Sequence, residues 1–94
     1  MKIRWTKRAI RNFESIHTYI AGDSPGSAAH VSTAILDATA RLERFPQSGR
    51  PGRIEGTREL VVPGLPYIIP YRIVDDVILI LSVIHASRIW PKKL

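Results

Sequence analysis

The chain contains no cysteine among its 94 residues. That excludes disulfides, thiolate chemistry and Cys-ligated zinc, and leaves packing or a partner to hold the fold together. No apolar run approaches the roughly 18 residues needed to span a bilayer. The opening stretch Met-Lys-Ile-Arg-Trp-Thr-Lys-Arg has the charge of a secretory leader but not its apolar core, so a cytoplasmic location is the expectation. Metal-ligand spacing is missing: the three histidines, His17, His30 and His85, stand far apart, and no carboxylates cluster near His85. A phosphate-binding glycine loop is missing too, because Gly49-Arg50-Pro51-Gly52 follows a helical pattern rather than a strand. Basic residues are themselves absent from one third of the chain. Between Asn12 and Ala40 there is no Lys or Arg, only Glu14, Asp23 and Asp37.

What is present is an ordinary globular composition, with 45% hydrophobic and 23% charged residues, which rules out a disordered chain. The length fits one small domain spanning 1–94. All 14 basic residues fall outside the acidic third, and the net charge is +6. Such a balance suits an acidic partner, whether nucleic acid or protein. A fold that separates the two parts would carry one basic face and one neutral face, and so two kinds of contact.

The hydrophobic periodicity predicts an α+β domain of order β-α-α-β-β-β. Lys2 to Trp5 forms a short strand with alternating Ile3 and Trp5. Thr6 caps a helix from Lys7 to Ala21, whose Ala9, Phe13, Ile16 and Ile20 make one apolar stripe. Ser24 caps a second helix with Pro25 at its first position. That helix is expected to reach about Phe45, burying Ala28, Val31, Ile35, Ala38, Leu42 and Phe45, and to pack antiparallel on the first. Gln47 to Gly56 is a loop. Thr57 to Val62, Tyr67 to Val74 and Val77 to His85 form a three-stranded antiparallel meander, with Asp75-Asp76 as a hairpin turn. The helix hairpin covers one face of the sheet. Pro70 inside a strand points to an edge position or a bulge.

His85 ends the most apolar strand. It can serve as a general acid–base, or as a structural side chain tying the strand end to a carbonyl. Arg58 and Arg72 lie on strands that a meander sets side by side. With His85 they could bind phosphate oxygens and support cleavage through a 2′-hydroxyl; equally, they could pair with Glu55, Glu59, Asp75 or Asp76. Trp5 and Trp90 suit packing roles, and Tyr67 and Tyr71 suit half-buried sheet positions on one strand face.

The element order, the loop Pro46-Gln-Ser-Gly-Arg-Pro-Gly-Arg53, the strands Thr57-Arg-Glu-Leu-Val-Val62 and Tyr67-Ile-Ile-Pro-Tyr-Arg-Ile73, and the ending Leu81-Ser-Val-Ile-His-Ala-Ser-Arg88 together resemble the RelE/ParE superfamily. Its members are toxins of type II toxin–antitoxin modules, also known as plasmid stabilisation or addiction modules. The resemblance covers essentially the whole chain. It implies a cognate ParD-like or RelB-like antitoxin in a hetero-oligomer, with operator DNA bound only through the antitoxin and no cofactor or metal. The helix hairpin then becomes the platform for an apolar antitoxin segment, through Phe13, Ile16, Ile20, Ile35 and Leu42.

Within the superfamily, RelE-like members cut mRNA on the ribosome, and ParE-like members poison DNA gyrase. RelE-like enzymes carry a catalytic Arg in a Tyr-Arg-Leu-Val-Tyr or His-Arg-Leu-Val-Tyr strand. The matching stretch here, Tyr67-Ile68-Ile69-Pro70-Tyr71, has Ile68 at that position, and an isoleucine cannot stabilise developing charge. Tyr71-Arg72 followed by an apolar strand ending in His85 is similar to ParE-like sequences. The resemblance therefore favours a gyrase poison, with Arg53, Arg88, Trp90 and Lys92 as target contacts. The alternative is a ribosome-dependent endonuclease built on His85, Arg58 and Arg72.

Overall fold

The computed structural model describes residues 1–94. Two helices, α1 (Lys7–Ala21) and α2 (Pro25–Ala40), lie on one face of a mixed sheet. The strands are β1 (Lys2–Trp5), β2 (Arg50–Pro51), β3 (Arg58–Val61), β4 (Tyr67–Val74), β5 (Val77–Ile80) and β6 (Ile84–His85). The order across the sheet is β1-β5-β4-β3-β2, with β6 also paired to β4. β1 runs parallel to β5, and the other pairs are antiparallel. The expected meander is therefore the centre of a larger sheet. The Gln47–Gly56 loop contributes one edge strand, and the N-terminal strand forms the other edge.

Both helix starts follow the caps that the sequence offers. Thr6 Oγ1 accepts from Ala9 N and Ser24 Oγ accepts from Ser27 N, each satisfying an otherwise unpaired first-turn amide. α2 stops at Ala40, earlier than its apolar period suggests, and tightens into a 3₁₀ turn over Arg41–Glu43. Pro46 disfavours helical geometry at Phe45, so the chain leaves the helix before reaching it. Leu42 keeps its place in the core from that turn, but Phe45 is 58% exposed rather than buried.

The core joins Ala9, Val31, Ile35, Ala38 and Leu42 of the helical layer to Tyr67, Ile69, Tyr71, Ile78 and Ile80 of the sheet. Alternation along β4 and β5 sends these sheet residues toward the helices. Tyr67 and Tyr71 are both buried, not half-buried. Ile35 and Leu42 are fully buried as well, so neither can serve as the antitoxin contact expected of it. Phe13, Ile16 and Ile20 are partly buried against the same core. Phe13 meets Trp5 edge-on, with ring centroids 5.7 Å apart.

The Asp75–Asp76 turn has positive φ at both residues, 50° and 61°, the geometry that suits the right-handed twist of a two-residue hairpin. Aspartate tolerates it better than most side chains.

Pro70 sits in the interior of the sheet rather than at an edge, and it marks a bulge. Leu81 N donates to Pro70 O at 2.9 Å. Pro70 has no N–H to return to the Leu81 carbonyl, which instead accepts from Thr6 Oγ1 at 3.1 Å. Tyr71 lies opposite Ile80, and Ile68 lies opposite Ile84. Three residues, Leu81, Ser82 and Val83, therefore face two, Ile69 and Pro70. That extra residue divides the long apolar strand expected from Val77 to His85 into β5 and β6.

Candidate functional site

The bulge decides where His85 points. In an unbroken strand, Ile80 and residue 84 would share the helix side, and His85 would face away. The inserted residue reverses this. His85 lies opposite Tyr67, on the helix side, and the two rings meet edge-on at 5.4 Å and 87°. Asn12 of α1 holds the bulge in place. Its Oδ1 accepts from Ser82 Oγ at 2.6 Å and from Val83 N at 3.2 Å. The amide that the bulge would leave unpaired is thereby satisfied.

Between α1 and this reshaped strand end lies a cleft of about 570 Å³. Arg8, Asn12, Ser15, Ile16 and Tyr19 form one wall; they recur at helical spacing and so share one face of α1. The other wall is Ser82 to His85 with Tyr67, and Arg88, Ile89 and Pro91 close the end. The rim is strongly exposed, with Tyr19 at 80% and Ile89 at 98%.

The other expected catalytic residues are elsewhere. Residues opposite one another in a ladder share a face. Arg58 lies opposite Tyr71 on the helix side, and Arg72, the next residue on β4, is on the other side. Both guanidinium groups hold backbone. Arg58 donates to Gln47 O at 3.2 Å and to Gly49 O at 2.7 Å, and Arg72 donates to Glu55 O at 3.3 Å. His85 and Arg58 project from ladder positions four residues apart along β4, about 13 Å. The structure thus does not bring His85, Arg58 and Arg72 together. Ile68, where the resemblance places a catalytic Arg, is 7% exposed and pairs with Val61 and Ile84.

Arg58 belongs to a clasp on the Pro46–Gly49 segment. Tyr71 O–H donates to Pro46 O at 2.7 Å and accepts from Gly49 N at 2.9 Å. Burial raises the Tyr71 phenol above its ordinary value, against the opposing pull of the Gly49 amide and the Arg58 charge. Gly49 is required here: a Cβ would come within 2.6 Å of the Tyr71 ring.

On the other face, Glu59 is 3% exposed and gathers two arginines. Oε1 accepts from Arg50 Nη2 at 3.1 Å, and Oε2 accepts from Arg53 N at 2.8 Å and Arg53 Nε at 3.2 Å. Burial pushes its pKa up, but the Arg53 amide and the two guanidinium groups outweigh that and hold it below its ordinary 4.5. The Arg53 guanidinium carbon stacks 3.6 Å from the centroid of Trp90. Of the expected target contacts, Arg53 and Trp90 therefore meet. Arg88 and Lys92 are exposed, and Arg88 lines the cleft.

Sequence reasoning missed Asn12 and Arg8. Their signal was present but unspecific: polar residues beside an apolar helical stripe. His17 is exposed and bonds Ser32 of α2 through Nδ1 at 2.9 Å.

The family model for the ParE toxin of the type II toxin–antitoxin system, parDE, matches residues 3–90. The chain belongs to the ParE toxin family. It is 53% identical over 93 residues to the putative toxin Y4kP of Sinorhizobium fredii, covering 99% of this chain and 96% of that protein. It is 31% identical over 88 residues to toxin RelE2 of Caulobacter vibrioides, covering 94% and 98%. The chromosomal ParDE toxin–antitoxin system of P. aeruginosa contains a chain of the same fold, with a TM-score of 0.82 at 24% identity over 93% of this chain and 97% of that one. This ParE family member is thus a type II toxin by family, on the fold that its element order predicts.

Proposed function

We propose that this chain arrests growth by acting on DNA gyrase and that a cognate ParD-like antitoxin neutralises it in a hetero-oligomer. The toxin component works in the cytoplasm, contributes to plasmid stabilisation, and meets operator DNA only through the antitoxin. The observation that carries the gyrase reading is the dispersal of the ribonuclease candidates. Arg58 and Arg72 face opposite sides of the sheet and are occupied by loop carbonyls, and the position of the expected catalytic Arg is a buried isoleucine. Phosphodiester cleavage without a metal needs several charged groups converging on one phosphate, because each contributes by acting on the same developing charge.

Pulse-labelling after controlled induction of the chain alone tests this. Thymidine incorporation is expected to fall within the first minutes, before methionine incorporation, and purified chain is expected to inhibit gyrase supercoiling. An earlier fall in methionine incorporation would instead place the target on the ribosome.

A further inference from the structure

The cleft between α1 and β6 contains a preset hydrogen-bond donor. His85 Nδ1 lies 3.2 Å from Ser87 N and 2.7 Å from Ser87 Oγ. A backbone amide can only donate, so Nδ1 is the acceptor, and the neutral ring carries its proton on Nε2. Nε2 has no partner within the chain, and the edge-on contact with Tyr67 restricts the ring. Two cations line the same cleft. Arg8 spends one Nη1 bond on Lys93 O at 2.9 Å, and Arg88 makes no side-chain bond. No Asp or Glu lines the cleft. The rest of the lining mixes apolar side chains, Ile16, Tyr19 and Ile89 among them, with the small polar residues Asn12, Ser15 and Ser82, of which Asn12 and Ser82 are bonded to each other. Two guanidinium groups and an imidazole N–H with no carboxylate beside them, bordered by the exposed Tyr19 and Ile89, fit a peptide carboxylate flanked by apolar residues better than the repeated phosphates of a nucleic acid.

We propose that this cleft seats an amphipathic segment of the antitoxin, with one of its carboxylates held by His85 Nε2–H, Arg8 and Arg88 and its apolar side chains laid against Ile16 and Ile89. The assignment rests on the reading of this chain as the toxin of a two-protein module. It moves the antitoxin contact away from Ile35 and Leu42, which have no surface to offer, and keeps Ile16 from the earlier set. Of the expected target contacts, it reassigns Arg88 to the antitoxin.

The test is calorimetric titration of the purified chain with its cognate antitoxin. Arg8→Glu with Arg88→Glu is expected to weaken binding at least tenfold. Tyr19→Asp, at a rim position that tolerates polarity, is expected to weaken it several-fold, and Arg44→Glu, outside the cleft, to leave it unchanged. His85→Ala should lose affinity that His85→Gln largely keeps, because the glutamine amide restores a donor near the Nε2 position. Thermal unfolding of each variant confirms that it folds. Affinity of the wild-type pair should also fall as salt is raised.

Wild-type affinity in both the double charge reversal and Tyr19→Asp overturns the cleft assignment while leaving the toxin–antitoxin reading intact. A wild-type chain that binds no antitoxin overturns that reading itself. If the chain self-associates, and the charge reversal abolishes this without changing antitoxin affinity, the occupant is a second copy and the proposal fails.

Discussion

Around the loop from Pro46 to Gly56, polar groups find partners within the chain: Tyr71, Arg58, Arg72 and Glu59 together hold the backbone of Pro46, Gln47, Gly49, Arg53 and Glu55. Around the cleft at the other end of β4, the pattern reverses. His85 Nε2 and the Arg88 guanidinium have no acceptor within the chain, and Ile89 and Tyr19 stand in solvent. Both regions are basic and both flank the same strand, so charge alone does not separate them. What separates them is whether the donors have already found acceptors. A satisfied guanidinium stabilises a loop; an unsatisfied one beside exposed apolar surface is available to a partner. Substitutions in the loop region should therefore cost folding stability, and substitutions in the cleft should cost binding.

The largest effect is expected at Glu59. Glu59→Gln removes the buried negative charge that faces Arg50 and Arg53. Because both arginines are about half exposed, at 53% and 48%, water shares the loss. A cost of about 2 kcal/mol is expected in urea unfolding at pH 7. Its pH dependence has a definite sign. The native pKa lies below the ordinary 4.5, so the carboxylate's contribution is complete above that value and is lost as pH falls through the native one. The variant never has this contribution, so the stability gap between the two proteins should close in acid. A gap that stays constant from pH 7 to pH 3 would show that packing, not charge, holds this site.

Asn12 joins the two regions of behaviour, since it is a structural residue that shapes the cleft. Asn12→Ala leaves the Val83 amide and the Ser82 hydroxyl without their acceptor at a partly buried position. About 1–2 kcal/mol of stability should be lost. In hydrogen exchange, the Val83 amide should lose protection while the amides of β3 keep theirs. Equal loss in both places would mean that the bulge is not a local device.

Much of this architecture is legible in the residue pattern. Thr6 and Ser24 announce both helix starts, Asp75-Asp76 announces the hairpin, and the apolar runs on either side of that turn mark the strands of the meander. What local patterns could not carry is any consequence of a long-range mismatch. Pro70 signals a bulge, but its effect appears on another strand, where one extra residue turns His85 to the opposite face. The grouping of His85 with Arg58 and Arg72 failed for a related reason, because adjacent strands do not imply a shared face. Ile35 and Leu42 fit an apolar helical stripe whether it meets a partner or the protein's own sheet, and only the fold distinguishes the two.

The smallest effect is expected where Arg53 meets Trp90, since the guanidinium is also bonded to Glu59 and water reaches part of it. Trp90→Leu keeps apolar volume against Arg53 but removes the ring face, so the stacking contribution of about 0.5–1 kcal/mol should disappear. A double-mutant cycle with Arg53→Met isolates that contribution from the packing each side chain makes alone. Coupling near zero would mean that the stack is a by-product of the Glu59 bond rather than a tie between the loop and the C-terminal segment. Coupling of the expected size would tie the loop to the C-terminal segment at the Trp90 ring face, even though the indole N–H of that same side chain is buried without an acceptor in the chain.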